Sequence, residues 1–129
     1  MKINKLDHFV LTVSNVGKTV SFYTTVLDMK KVIFGESRMA LKFGAQKINL
    51  HPCKNTFTPK AMQPTPGSAD FCLLTETPLN AAIAHVQSCG VEIIEGPVER
   101  TGTRGKILSF YIRDPDGNLI EIANGVKQN

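Results

Sequence analysis

Residues 6–13, LDHFVLTV, and residues 69–76, ADFCLLTE, decide the fold, because each opens a stretch whose remainder follows the same plan. In the first, apolar and β-branched residues are arranged so that Leu6, His8, Val10 and Thr12 share one strand face, with Asp7, Phe9, Leu11 and Val13 on the other. Ser14 or Asn15 then stands where a helix cap belongs, and Val16, Val20, Tyr23 and Leu27 recur at helical spacing as one apolar stripe. Three shorter strands are expected at about 30–35, 38–43 and 46–51. After the second opening, Pro78 fits the first turn of a helix, Leu79, Ile83 and Val86 form its stripe, and Gly90 ends it. Strands are then expected over 91–96 (VEIIEG), 106–113 (KILSFYIR) and 118–124 (NLIEIAN), with 97–105 as a loop. Asp114-Pro115-Asp116-Gly117 is hairpin punctuation.

The two halves keep a nearly constant offset. Position 8 matches 70 at an offset of 62, helix positions 16, 20 and 23 match 79, 83 and 86 at 63, and 47–50 match 119–122 at 72. The offset therefore jumps only in the connections between strands, as a duplicated unit requires. The expected fold is α+β: two βαβββ modules, about 4–52 and 68–125, forming curled sheets around a cleft. The proline-rich stretch 53–67, with Pro59, Pro64 and Pro66, reads as a surface linker between them.

Composition narrows the function classes. The chain has 129 residues, and 15 Lys and Arg against 11 Asp and Glu give a net charge of +4. That length buries about two-thirds of the unfolded chain's surface, enough for a core without disulfide or metal staples. No apolar run approaches the ~18 residues of a membrane span. The first ten residues carry Lys2, Lys5, Asp7 and His8 in place of a signal-peptide core, so a cytoplasmic protein without a membrane partner is expected. The three cysteines are odd in number and form no C-x-x-C pair, which argues against a disulfide framework and a thiolate zinc site. Cys72 and Cys89 are expected as small core residues and Cys53 as exposed. Basic residues interleave with acids except over 100–106, RTGTRGK. This short, glycine-rich cluster suits an anionic small molecule better than a nucleic acid, with Arg100, Arg104 and Lys106 as the candidate contacts.

Four polar residues stand where the strand pattern asks for none. His8 and Asp70 are matched by the repeat on the first strand of each module, and Asn49 and Glu121 on the last. A carboxylate in an apolar strand is costly to bury unpaired. A pseudo-two-fold axis would bring the four toward one point, and imidazole with carboxylates is a nitrogen and oxygen donor set for Zn, Ni, Mn or Fe. His8, Asp70 and Glu121 are the candidate metal ligands. His51, two residues beyond Asn49 on the same face, is an alternative ligand, substrate contact or proton-transfer group, and His85 lies off its helix stripe at the surface.

The stretches LDHFVLTV, FYTTVLDM and FYIRDPDGNLIEIAN resemble the glyoxalase/bleomycin-resistance/ring-cleavage dioxygenase superfamily, the vicinal oxygen chelate proteins. The strings MALKFG, KINLH, PGSADFCLLTE and GPVERTG are most similar to its subgroup of glyoxalase domain-containing protein 5 and bacterial virulence-associated lyases. The resemblance implies a U-shaped metal cleft, commonly in a homodimer with shared sites, a small-molecule substrate and, in some members, a thiol cosubstrate. His8 matches the first-module histidine and Glu121 the glutamate of the DPDG-x-x-x-E ending, while Asp70 stands where a histidine is usual. Asn49 stands where glyoxalase I has a second glutamate, so its base would have to be Glu121 or His51, with Asn49 left as a substrate contact. The implied activity is that of a divalent-metal lyase or isomerase of the lactoylglutathione-lyase type. Two alternatives stay open: a metal-free binder of the bleomycin-resistance type, and a ring-cleavage dioxygenase, whose two-histidine, one-carboxylate site this ligand set does not reproduce.

Overall fold

The computed structural model describes residues 1–125, and the chain divides into two compact units, Met1–Ser68 and Ala69–Asn129. The first runs β1 (His8–Val13), α1 (Val16–Thr25), β2 (Lys30–Phe34), β3 (Arg38–Phe43) and β4 (Gln46–Pro52). Its sheet has the order β1-β4-β3-β2, with β1 parallel to β4 and the other pairs antiparallel. The second runs β5 (Asp70–Leu74), α2 (Leu79–Ser88), β6 (Glu95–Gly102), β7 (Gly105–Arg113) and β8 (Leu119–Gly125), in the equivalent order β5-β8-β7-β6. The fold is α+β, two βαβββ sheets. Duplication extends to single residues: His8 pairs with Lys47 and Asp70 with Leu119, positions related by the offsets of 62 and 72. Among the described residues no helix is long and apolar enough to cross a membrane.

Each sheet buries one face. In the first unit Leu11, Val13, Leu41, Ile48 and Leu50 are buried with Tyr23 of α1. The Asn15 side chain caps α1 by accepting the Lys18 N–H at 2.9 Å. The helix buries Thr19 and Tyr23, and Val26 just past its end, whereas Val16, Val20 and Leu27 are half-buried. The buried stripe is thus turned from the expected one, with Tyr23 common to both. In the second unit Phe110, Ile112, Ile120 and Ile122 are buried, and α2 contributes Leu79 and Val86. Residues 53–67 form no strand or helix, but part of the stretch folds back on the first unit, where the Phe57 ring packs edge-on against His51 at 5.3 Å.

The sixth strand lies later than its hydrophobicity implies. Residues 91–94 are not a strand, and β6 takes in most of the expected loop. The Val91 N–H closes the end of α2 on the Val86 carbonyl at 3.3 Å, so it cannot join a ladder, and Ile94 reaches only the Tyr111 carbonyl, at 2.9 Å. Gly96, at φ +115°, sits in an irregularity of the pairing between Glu95 and Val98, beyond which β6 runs regularly to Gly102. The DPDG turn is tied around the buried Asp114 and Asn118. Asp114 Oδ1 accepts the backbone N–H groups of Asp116 and Asn118 at 2.9 and 3.0 Å, and its Oδ2 accepts Asn118 Nδ2 at 2.8 Å. Asn118 Oδ1 in turn accepts the Ala69 N–H at 2.9 Å, tying the approach to β5 to the start of β8.

Candidate functional site

Strand register places Glu121 at the centre of one face of the second sheet. It lies opposite Cys72 on β5 and Tyr111 on β7, with Asp70, Leu74 and Ser109 on the same face. Its carboxylate is half-buried, and the fully buried Ser109 donates Oγ–H to Oε2 at 2.6 Å. Hydrogen bonds to a carboxylate are the strong, short kind, and this one fixes the rotamer of Glu121. The Cys72 thiol stands directly across the ladder from the same carboxylate. Burial around the sulfur and then the charge of Glu121 push the thiol up to about 11, so it stays protonated at neutral pH. Cys72 is not the core residue expected: it is exposed, because its face of the edge strand β5 is the one that carries Glu121. Cys53 is exposed and Cys89 half-buried.

Around Glu121 the second unit has a cleft of about 760 Å³ whose lining includes Cys72, Leu74, Arg100, Arg104 and Lys106. That volume is in the range of small-molecule sites. The three basic residues are not equivalent. Arg100 donates Nε–H to Tyr111 Oη at 3.0 Å, and its other nitrogens engage the Glu99 carbonyl at 3.1 Å and Glu95 Oε1 at 3.2 Å. The bond to Tyr111, with Glu95 nearby, raises the pKa of its guanidinium further and commits most of its donors. Arg104 and Lys106 are exposed beside the β6–β7 turn and hold no such partner among the described residues.

Asp70 does not line this cleft. It is exposed on the same face, diagonally across from Glu121, and its side chain has no hydrogen bond or ion pair among the described residues. Diagonal strand neighbours lie about 7 to 8 Å apart at the backbone, a gap that two carboxylates can span. His8 belongs to the first unit. Its Nδ1 bonds to Asp7 Oδ1 at 2.8 Å, which holds the Asp7 carboxyl below its ordinary value. A carboxylate can only accept, so Nδ1 is the donor of this bond, and Nε2 has no partner among the described residues. Among the described residues no three His, Cys, Asp or Glu side chains gather as a metal site.

Asn49 and His51 share a face of β4 in the first unit. The Asn49 Oδ1 is buried without a hydrogen-bond partner. His51 is buried, and burial first, then the charges of Arg38 and Lys60, hold its pKa below 6.5. Because the folded state favours neutral His51, unfolding takes up a proton. Stability from this group is complete above the unfolded value near 6.5 and falls as pH drops toward the folded value, by up to about 1.4 kcal/mol per pH unit. Urea denaturation from pH 7.5 to 5 is expected to show this loss in the wild type and a flatter profile in His51→Gln.

Ser109, Tyr111 and Cys72 are the site residues that sequence reasoning passed over. Period-two alternation already puts Cys72 on the face of Asp70, so its position was readable. Ser109 and Tyr111 gave no signal, because their partners lie on other strands 12 and 11 residues away.

The model of the Glyoxalase/Bleomycin resistance protein/Dioxygenase superfamily matches residues 5–122, and the chain belongs to this superfamily. It is 56% identical to virulence protein STM3117 of Salmonella typhimurium over 98% of this chain and 88% of that protein. The crystal structure of that protein superposes with a TM-score of 0.96, covering 98% of this chain and all of the other. Glyoxalase domain-containing protein RDO1 of Mycosarcoma maydis is 48% identical over 96% of this chain and 70% of its own length. The metallothiol transferase FosB of Shouchella clausii is 30% identical over 95% and 82%.

Proposed function

We propose that the protein is a divalent-metal-dependent lyase or isomerase acting on a small substrate with adjacent oxygens, with His8, Asp70 and Glu121 holding the ion. The observation that carries this reading is that two of the three donors are each fixed by a neighbouring side chain. His8 is oriented through Nδ1 by Asp7, and Glu121 through Oε2 by Ser109, as metal ligands ordinarily are. The donors are nitrogen and oxygen, which suits Zn, Ni, Mn or Fe, and bound there such an ion would stabilise negative charge developing on the substrate oxygens. FosB, a metallothiol transferase by name, adds support for a metal and for a thiol cosubstrate.

The chain's own groups divide the remaining work. Arg104 and Lys106 hold an anionic end of the substrate, and Arg100 braces the Tyr111 side of the cleft. Glu121 or the neutral His51 moves a proton, and Asn49 contacts the substrate. A homodimer with shared sites fits a ligand set drawn from both units, and a cytoplasmic location fits the sequence. Ser109→Ala is expected to lower Mn(II) affinity about 10- to 100-fold with little change in unfolding midpoint, and Ser109→Thr to restore it.

The reading is tested by offering hemithioacetals, epoxides and catechols to metal-loaded wild type and to Glu121→Gln. Turnover of one class that chelation abolishes and metal restores, absent in the variant, is the expected result. Tight binding without turnover and without metal would overturn it in favour of a binding protein.

A further inference from the structure

Helix α2 ends on two metal-ligating side chains that neither the core nor the proposed centre uses. His85 stands in its last turn and Cys89 caps it, four residues on and therefore on the same side of the helix. The core takes Leu79 and Val86 from α2, whereas His85 is exposed and Cys89 half-buried. Cys89 Sγ and His85 Nε2 lie 3.8 Å apart, within hydrogen-bonding reach for sulfur. A tetrahedral ion with Zn–S about 2.3 Å and Zn–N about 2.0 Å sets its sulfur and nitrogen about 3.5 Å apart. The observed pair is about 0.3 Å wider, a gap that a small side-chain rotation closes.

The backbone holds the two residues in this relation. The Cys89 N–H donates to the His85 and Val86 carbonyls at 3.2 and 3.1 Å, and Ser88 Oγ–H donates to the His85 carbonyl at 2.6 Å. The Gly90 and Val91 N–H groups close the turn on Gln87 and Val86 at 2.9 and 3.3 Å. With the turn fixed, the two side chains have little freedom left to lose on closing around an ion. Charge favours a cation at this point as well. The negative end of the helix dipole lies here. From Glu76 to Glu99 the sequence has four Glu and no Lys or Arg, and Ala69–Asn129 carries five Lys and Arg against eight Asp and Glu, a net of −3.

We propose that His85 and Cys89 form a separate metal site, a two-donor chelate for a thiophilic divalent cation such as Zn(II) or Cd(II), with water in the remaining positions. His85 gives the Nε2 lone pair, and Cys89 gives its sulfur as thiolate, the thiol proton passing to solvent. The sulfur donor distinguishes this site from the nitrogen and oxygen donors of His8, Asp70 and Glu121, which suit Mn(II). The two sites share no residue, and with only two protein donors the α2 site gives up its ion to metal-free buffer. An ion bound there clamps the last turn of α2, beside the chain that leads into β6.

Cd(II) titration of the full chain carrying Cys53→Ser and Cys72→Ser, so that Cys89 is the sole thiol, tests this. Thiolate-to-metal absorption that saturates is expected, with NMR amide shifts at His85, Cys89 and Gly90 and a Cd(II)-dependent rise in the unfolding midpoint. Zn(II) is expected to displace the Cd(II), and Mn(II) to leave it in place. In the same background His85→Ala is expected to weaken binding about 100-fold through loss of the chelate, and Cys89→Ser to abolish the absorption. Glu121→Gln is expected to leave the absorption and its midpoint unchanged, so that failure of the proposed centre and failure of this site are read separately. The NMR spectra report whether each variant is folded. A folded His85→Ala that binds Cd(II) as tightly as its parent, shifts confined to Asp70 and Glu121, or no saturable absorption would overturn the proposal.

Discussion

Replacing Gly96 by alanine is expected to destabilise the second unit by about 4 kcal/mol, the sum of backbone strain and overpacking. Gly96 has φ +115°, a conformation that L side chains rarely adopt. A Cβ there would lie 2.6 Å from the Ser109 carbonyl oxygen and 2.7 Å from Phe110 Cα. Both atoms are backbone of β7, which is paired on its other side with β8 and anchored by the fully buried Phe110, so the strand cannot withdraw. Gly102→Ala makes the useful comparison. Its Cβ would meet Ile107 Cγ2 at 2.9 Å and the Gly105 carbonyl oxygen at 3.3 Å, but its φ lies outside the left-handed region and no backbone atom is nearer than that, so a smaller loss is expected. Urea denaturation separates the two. A Gly96→Ala variant within about 1 kcal/mol of wild type would contradict the close packing of β6 on β7. Because Ser109 sits at the point of contact, Gly96→Ala is also expected to disturb the carboxylate of Glu121.

Glu121→Gln is expected to lower divalent-metal affinity by more than the roughly 100-fold typical of losing a supporting contact, because it neutralises a proposed ligand. The amide keeps the size of the side chain and still offers an oxygen to Ser109, so the fold is expected to persist. The variant also removes the negative charge that helps hold the Cys72 thiol up at about 11. Alkylation of Cys72 is then expected to proceed faster at pH 8, since the thiolate is the reacting form. Calorimetric titration with Mn(II) and a thiol-modification time course read the two effects independently. Unchanged metal affinity in a folded Glu121→Gln would remove Glu121 from the ligand set.

The duplication was legible because it rests on strand alternation and on one offset per element, and both survive in the pairing of His8 with Lys47 and Asp70 with Leu119. The sixth strand was not. VEIIEG has the apolar, β-branched content of a strand, while the real β6, EGPVERTG, carries two glycines, a proline and three charges. What selects it is non-local: the Val91 N–H is taken by the end of α2, and register with β7 begins only at Glu95, Ile94 making a single bond to the Tyr111 carbonyl. Cys72 was misjudged for a related reason. Apolar flanks suggest burial, but which face of β5 carries the polar site is set by its register with Glu121 on β8. His8, Asp70, Glu121, Asn49 and His51 could be singled out one by one because each breaks an apolar pattern. Of the groups that fix them, Asp7 is the chain neighbour of His8, whereas Ser109, which holds Glu121, could not be seen until β7 was laid beside β8.

The central claim is that His8, Asp70 and Glu121 hold one divalent ion, and elemental analysis of the untagged protein tests it most directly. The protein would be dialysed separately against Mn, Fe, Ni and Zn and then against metal-free buffer, with His8→Ala and Glu121→Gln treated alongside. The account predicts close to one retained ion per chain in the wild type for at least one metal, and none in either variant. Wild-type protein that retains no metal, or variants that retain as much as the wild type, would contradict it.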